Sequence, residues 1–278
     1  MGHHYIPKYY LSGFTSGTTI WAHDRLERRS FASQPKSVAN ETDMYPNGVE
    51  EYLGSSVEDP AKNAIEKIRQ FQEITELDRK AIARYIVSLW KRVPAGRERV
   101  AALIPEVAVS VRNDIHAELT KAALSYPHLA DRAEARKVEI DQVIEKYKVD
   151  KPSKIWNQSL AKEETEDLHE ILLSMNWRFL HTENKQLLTS DNPVFFFRQE
   201  GIGAPNSELT LPFSSNVALW ANRNPSNTSA YLQAAPAAIR ELNRRVVSNA
   251  TRFVYSAKDE RWILPFVCKM EHNLTRLI

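Results

Sequence analysis

Cysteine is nearly absent from this sequence of 278 residues, which holds a single one. That scarcity excludes a disulfide framework and a cysteine-rich zinc site. Long apolar runs are also missing. The longest, residues 101–111, contains Pro105 and Glu106 and falls short of the ~20 residues that span a bilayer. We therefore expect no membrane span and, because no signal-peptide pattern opens the sequence, a cytoplasmic location.

A charge excess of one sign is missing as well, since 37 Lys and Arg residues face 35 Asp and Glu residues. The net charge of +2 does not by itself predict nucleic-acid binding. The common catalytic signatures are absent too: there is no P-loop, no Gly-x-Ser-x-Gly elbow and no His-Glu-x-x-His helix. With 42% apolar and 26% charged residues, the composition is that of an ordinary globular protein.

The pattern of apolar residues divides the chain into three stretches. Residues 1–57 contain a predicted β-hairpin, formed by residues 18–23 and 26–31. Residues 58–176 show helical periodicity, beginning at Asp59-Pro60. Residues 177–278 are mainly β, with a predicted hairpin of 177–181 and 186–189 and one helix over 236–249. We predict an α+β fold in which the first and third stretches build one mixed or antiparallel β unit and the second is a helical insertion.

The densest chemical signal is at the start, where two histidines precede Tyr5 and Pro7. Large apolar residues follow, so we expect a buried segment that carries His4 at its polar edge, packed against the C-terminal β region. A neutral imidazole is both a metal ligand and a general base near pH 7. The alternative is a histidine that binds a backbone carbonyl.

Two further signals lie in the C-terminal stretch. Asp191, in a Ser-Asp-Asn-Pro turn after a strand, either faces a cleft beside His4 or braces its own turn. Asn243, at the edge of the predicted helix, is either a structural bridge or a substrate contact.

An acidic segment covers residues 50–58. On a regular helix Glu51 and Glu58 share a face, about 10 Å apart along the axis, so that one of them serves a site while the other pairs with an arginine. A solvated acidic face is the alternative.

Taken in order, these segments resemble domain-of-unknown-function family 4238, whose members are mostly bacterial and phage-associated proteins. The matching segments are HHYIPKYYLSGF, ETDMY, KRVPAGR, LLTSDNPV and LNRRVVSNATRFVYS, and the resemblance runs from His3 to about Ser256. It implies that the family's characteristic polar positions are His4, Glu58, Asp191 and Asn243. It also matches Arg92, Pro94 and Arg97 to the family's arginine-proline-arginine segment.

If these residues meet, they form an oxygen-rich site that suits Mg²⁺ or Mn²⁺. We expect His4, Glu58 and Asp191 to hold the metal. His4, Asp191 and Asn243 are the predicted catalytic residues, and Arg92, Arg97 and Tyr5 are the predicted substrate contacts, the arginines holding a phosphate. The set predicts a phosphodiester hydrolase acting on nucleic acid or nucleotides, in the conflict between bacteria and phages. The alternatives are a non-catalytic sensor or interaction module and an enzyme for small polar metabolites.

Overall fold

The computed structural model describes residues 2–150, 152–161, 166–197, 201–224, 229–269 and 271–277. Helices and mostly antiparallel strands alternate unevenly along the chain, which confirms the predicted α+β class. The helices are α1 (Lys8–Ser12), α2 (Asn47–Tyr52), α3 (Asp59–Arg69), α4 (Glu76–Arg92), α5 (Pro94–Ser125), α6 (Ala130–Asp150), α7 (Pro152–Ala161), α8 (Glu166–Ser174), α9 (Pro236–Asn249) and α10 (Ile263–Val267). The strands are β1 (Gly2–His4), β2 (Ile20–Asp24), β3 (Arg29–Ser33), β4 (Asn40–Thr42), β5 (Asn176–His181), β6 (Thr189–Ser190), β7 (Phe195–Phe196), β8 (Glu208–Pro212), β9 (Val217–Asn222), β10 (Tyr231–Gln233) and β11 (Phe253–Ser256).

Contacts divide the chain into two compact units, one formed by residues 1–94 with 160–278 and one by residues 95–159. The first unit, called the sheet unit, holds all the strands named above together with α1–α4 and α8–α10. The second, called the helical unit, holds nearly all of α5, with α6 and most of α7. In this division α3, α4 and α8 belong to the sheet unit, where α4 packs against α3 and α8.

The N-terminal and C-terminal parts of the chain share a four-stranded sheet of order β3-β2-β11-β6. The early hairpin of β2 and β3 forms as predicted, with Ala22 opposite Phe31. Its other edge pairs with β11, where Tyr255 lies opposite Ala22. The two ends of the sequence therefore build one β structure.

The second hairpin predicted from the sequence, residues 177–181 with 186–189, does not form. Instead β5 pairs with β9 and β10 in a five-stranded sheet of order β10-β5-β9-β8-β7, and Thr189 and Ser190 pair with β11 in the other sheet. The backbone before them is held by a side chain: Asn243 Oδ1 accepts from the Leu188 amide at 2.9 Å and Asn243 Nδ2 donates to the Gln186 carbonyl at 3.1 Å. A side-chain amide thus takes the place of the expected strand partner.

The acidic segment lies on a helix that changes pitch. α2 runs into a π-helical segment, Leu53–Glu58, which continues into α3 with helical backbone angles at Asp59. Pro60 does not interrupt the helix, because it occupies one of the first positions of α3. A π segment adds a residue to the helical repeat and so changes which side chains share a face.

Candidate functional site

The N-terminal motif is anchored in the sheet unit by buried aromatic residues, as predicted. Tyr10 and Phe14 are fully buried, and the Tyr10 hydroxyl contacts Thr189 Oγ1 at 2.8 Å and donates to the Pro212 carbonyl at 2.6 Å. Gly13 makes this docking possible, since a Cβ there would lie 2.5 Å from the Phe213 carbonyl oxygen. The motif is therefore a fixed part of the fold, and His4 stands at its half-buried edge.

Arg92 is the centre of a polar cluster beside this motif. Its side chain is almost fully buried, at 1% exposure, although it carries a charge. Nη1 donates to Glu58 Oε1 at 2.7 Å, and Nη2 donates to the backbone carbonyl of His4. Tyr45 donates its hydroxyl to the same carbonyl at 3.3 Å. Arg92 thus connects the end of α4, the π-helical segment and the N-terminal strand.

The charges around Arg92 affect one another. Burial disfavours the charged guanidinium, but the interaction with Glu58 outweighs it and the pKa of Arg92 is raised. Burial lowers the pKa of His4, and the positive charges of Lys8 and Arg92 lower it further, against the opposing effects of the Val38 carbonyl and Glu50. Since the ordinary value is 6.5, His4 is neutral at pH 7.

Several buried polar atoms of this cluster have no hydrogen-bond partner within the described part of the chain. They are His4 Nδ1, Glu50 Oε2, Arg92 Nε and the Tyr85 hydroxyl. A buried polar atom without a partner costs about 1–3 kcal/mol, so such atoms are uncommon in folded proteins. Their concentration around one arginine marks a place with free binding capacity. We call His4, Tyr45, Glu50, Glu58, Tyr85 and Arg92 the Arg92 cluster.

Glu50 is a residue of this cluster that the sequence analysis missed. A regular helix places Glu51 on the face of Glu58, but the π-helical segment between them inserts an extra residue. In the structure Glu50 is half-buried and interacts electrostatically with His4 and Tyr45, whereas Glu51 is exposed. An irregular helical repeat carries no clear sequence signal. From the sequence, only the seven-residue spacing of Glu51 and Glu58 on a regular helix could be recognised.

Asp191 lies in a second polar arrangement whose hydrogen bonds are complete. Its Oδ1 accepts from the Thr251 amide at 2.8 Å, and its Oδ2 accepts from the amides of Arg252 and Phe253 at 2.7 and 2.9 Å. The side chain is 4% exposed, and burial raises its pKa against the opposing effect of these three amides. We call Asp191 with residues 251–253 the Asp191 clamp, since it holds the start of β11.

Tyr5 lies near the Asp191 clamp, although it directly follows His4 in the sequence. Its side chain is buried and interacts with the hydroxyl of Tyr255, and burial together with the charge of Asp191 raises its pKa. No hydrogen bond or ion pair joins His4 to Asp191 among the described residues. The structure therefore shows no direct contact in support of the prediction that these two residues share a ligand or a water molecule.

The remaining predicted residues, Asn243 and Arg97, belong to different units. Both polar atoms of the Asn243 side-chain amide bind the backbone, so Asn243 is the structural bridge that the sequence analysis gave as one of two possibilities. Arg97 belongs to the helical unit, where its guanidinium lies 5.8 Å from the centre of the Trp156 ring. Within the described residues, no group of three or more His, Cys, Asp or Glu side chains is arranged to hold a metal ion. The oxygens of Glu58 and Asp191 that make contacts bind an arginine and backbone amides.

Fold and site together define an α+β protein with a buried, incompletely paired polar cluster at its N-terminal motif. The chain belongs to the family described as "Protein of unknown function (DUF4238)", whose model matches residues 2–260. No curated protein and no solved structure matches the chain. Among the described residues, every helix is too short or too polar to cross a membrane.

Proposed function

We propose that the Arg92 cluster hydrolyses phosphodiester bonds of nucleic acid or nucleotides with the help of Mg²⁺ or Mn²⁺. The observation that carries the proposal is the electrostatic interaction of a neutral, half-buried His4 with Glu50. Among the described residues, neither His4 Nδ1 nor Glu50 Oε2 has a hydrogen-bond partner. A neutral imidazole accepts a proton from water near pH 7, which is what a general base requires. The setting we propose is the bacterial cytoplasm, in the conflict with phages.

The cation fits this cluster without a complete cage of protein ligands. Mg²⁺ is usually bound by one or two carboxylates together with water and the phosphates of the substrate. Glu50 supplies one free carboxylate oxygen, and Lys8 is exposed beside His4, where it offers a positive charge to a phosphate. When bound, the cation would neutralise charge on the phosphate that is attacked.

The chain's own residues divide the remaining work. His4 Nδ1 takes a proton from water, the water oxygen bonds to phosphorus, and the ester P–O bond breaks as the leaving oxygen takes a proton from solvent. His4 then releases its own proton to solvent. Arg92 is a positioning residue, since it holds the carbonyl of His4 and the carboxylate of Glu58. Asp191 and Asn243, predicted as catalytic, instead bind backbone groups of residues 251–253 and of residues 186 and 188.

The test is turnover of single-stranded DNA, RNA and nucleotides with Mn²⁺, comparing Glu50→Gln and His4→Asn with the unaltered protein. We expect at least a hundredfold loss of turnover in His4→Asn, because general-base catalysis contributes about 10²–10⁴-fold. Glu50→Gln should also lose turnover, because it removes the negative charge that would hold the cation. Glu51→Gln is the matched control: this neighbour is exposed, and its change should leave turnover intact. Equal turnover in Glu50→Gln and Glu51→Gln would reject the assignment.

A non-catalytic sensor or interaction module is the second candidate, and a specific observation favours it. The carboxylate of Asp191 and the amide of Asn243, two of the predicted catalytic groups, are occupied by backbone partners. These two side chains therefore support the fold and are themselves not free for chemistry. Absence of turnover by the folded, unaltered protein on all of these substrates would favour the module over the hydrolase.

A further inference from the structure

An apolar stripe lies exposed along α5 in the helical unit. Leu103 and Val107 are each 55% exposed and Val111 is 43% exposed. The three are spaced by four residues, so they lie on one face of the helix over about two turns. Large apolar side chains scattered singly on a surface need no explanation, but an aligned set marks an interaction surface.

The helical unit as a whole buries few large apolar side chains. Of the eleven exposed large apolar side chains among the described residues, seven belong to residues 95–159: Leu103, Val107, Val111, Leu124, Tyr126, Val138 and Val143. The buried apolar residues described in this unit are Ile104, Ala108, Ala133 and Trp156. Two of these four are alanines, so the unit gains little from its own core and has apolar surface left for a partner.

We infer that this stripe binds the same stripe of a second copy of the chain, with the two α5 helices antiparallel and Val107 at the two-fold axis. A two-fold interface requires one surface that complements itself. In this arrangement position 107−n faces position 107+n, so Leu103 of each copy contacts Val111 of the other. Equal ridges of i, i+4 residues from two helices also pack readily into each other's grooves.

The charges that continue the stripe favour the antiparallel direction. Beyond Val111 the same face carries Asp114 and Glu118, both exposed. Before Leu103 it carries the first turn of α5, which is the positive end of the helix dipole, flanked by Arg99. Antiparallel pairing brings the acidic end of each helix to the basic end of the other. A parallel pairing would bring like charges together.

The expected dimer is reversible. When the two α5 helices are paired about Val107, residues 94–120 of one copy lie alongside residues 94–120 of the other, over about 40 Å of helix. One helix pair of this length lies at the small end of specific protein interfaces, which begin at about 1,200 Å² of total buried area. We therefore expect the average mass in solution to rise with concentration towards that of two chains.

Cysteine cross-linking tests the geometry. The natural Cys268 is first replaced by Cys268→Ser, and Val107→Cys is then compared with Val143→Cys, an equally exposed valine on α6. With copper-phenanthroline as oxidant, Val107→Cys should form a covalent dimer at least ten times faster than Val143→Cys, because residue 107 meets itself at the axis. Equal rates, or a faster reaction at residue 143, would overturn the proposal.

Light scattering after size exclusion gives a second measurement. The unaltered chain should show the concentration-dependent mass, and Val107→Lys should stay a monomer while its melting temperature is unchanged. If the unaltered chain is a monomer at every concentration, the proposal is overturned. The stripe would then bind something other than a second copy, such as a different part of the same chain. If Val107→Lys does not fold, the cross-linking rates decide.

Discussion

The Arg92 cluster and the Asp191 clamp each contain a buried charged side chain but differ in how their polar atoms are used. In the clamp, one buried carboxylate accepts hydrogen bonds from three backbone amides. In the cluster, a buried guanidinium binds one carboxylate and one carbonyl, while several neighbouring polar atoms stay without partners. The cluster and the clamp approach each other at two adjacent residues, since His4 belongs to the cluster and Tyr5 interacts with Asp191 of the clamp. Unused hydrogen-bonding capacity, more than residue type, separates a candidate site from a structural support.

The largest effect that separates the two regions should come from Asp191→Ala. The substitution leaves three backbone amides at the start of β11 without their acceptor, so the free energy of unfolding should fall by about 3–5 kcal/mol. Urea unfolding measures the change. Asp191→Asn keeps one acceptor oxygen but turns an NH₂ group towards an amide, so an intermediate loss is expected. A loss below about 1 kcal/mol for Asp191→Ala would remove the distinction between clamp and cluster.

A second test uses pH in the sheet that carries the clamp. His23 is fully buried between Ser30 and Ser256, each 2.8 Å from a ring nitrogen, and burial lowers its pKa to about 4. The unfolded chain binds a proton near pH 6.5 while the folded chain does not. Stability should therefore fall as the pH drops from 6.5 to about 4, by on the order of 3 kcal/mol.

Unfolding measured at pH 7 and pH 4 gives the size of this effect. His23→Gln removes the titrating ring, so its stability should depend less on pH in this window by that amount. An identical pH dependence in the two proteins would show that the effect comes from other groups. If the Arg92 cluster catalyses the proposed hydrolysis, the lowered pKa of His4 should place the midpoint of the acidic limb of the activity profile below pH 6.5.

The smallest effect should come from a pair of tyrosines. The hydroxyl of Tyr85 in the Arg92 cluster is buried without a partner, whereas that of Tyr10 has two partners. Tyr85→Phe should be neutral or slightly stabilising, and Tyr10→Phe should lower the free energy of unfolding by about 1–3 kcal/mol. Thermal melting of both variants makes the comparison, and equal losses would contradict the free capacity assigned to the cluster.

Local patterns predicted the α+β class, the early hairpin of β2 and β3 and the helix at Pro236–Asn249, because each depends on neighbouring residues. The burial of the N-terminal motif also followed from its aromatic density. The partners of Asp191 could not be predicted, since they lie 60 or more positions later in the chain. The absent hairpin of residues 177–189 has the same cause, because the amide of Asn243 competes for that backbone. Glu50 was missed because the pattern gives no sign of a π-helical segment.

The pairing of β2 with β11 also affects how the protein folds. Asp24 and Arg252, joined by a salt bridge at this pair of strands, are 228 positions apart. Contacts of such long range form slowly, because a large loop must close before they contribute. During synthesis the β2–β3 hairpin therefore keeps one edge unpaired until β11, at Phe253–Ser256, has been made. An open strand edge is a template for aggregation, so this protein should be most vulnerable to aggregation while it is incomplete.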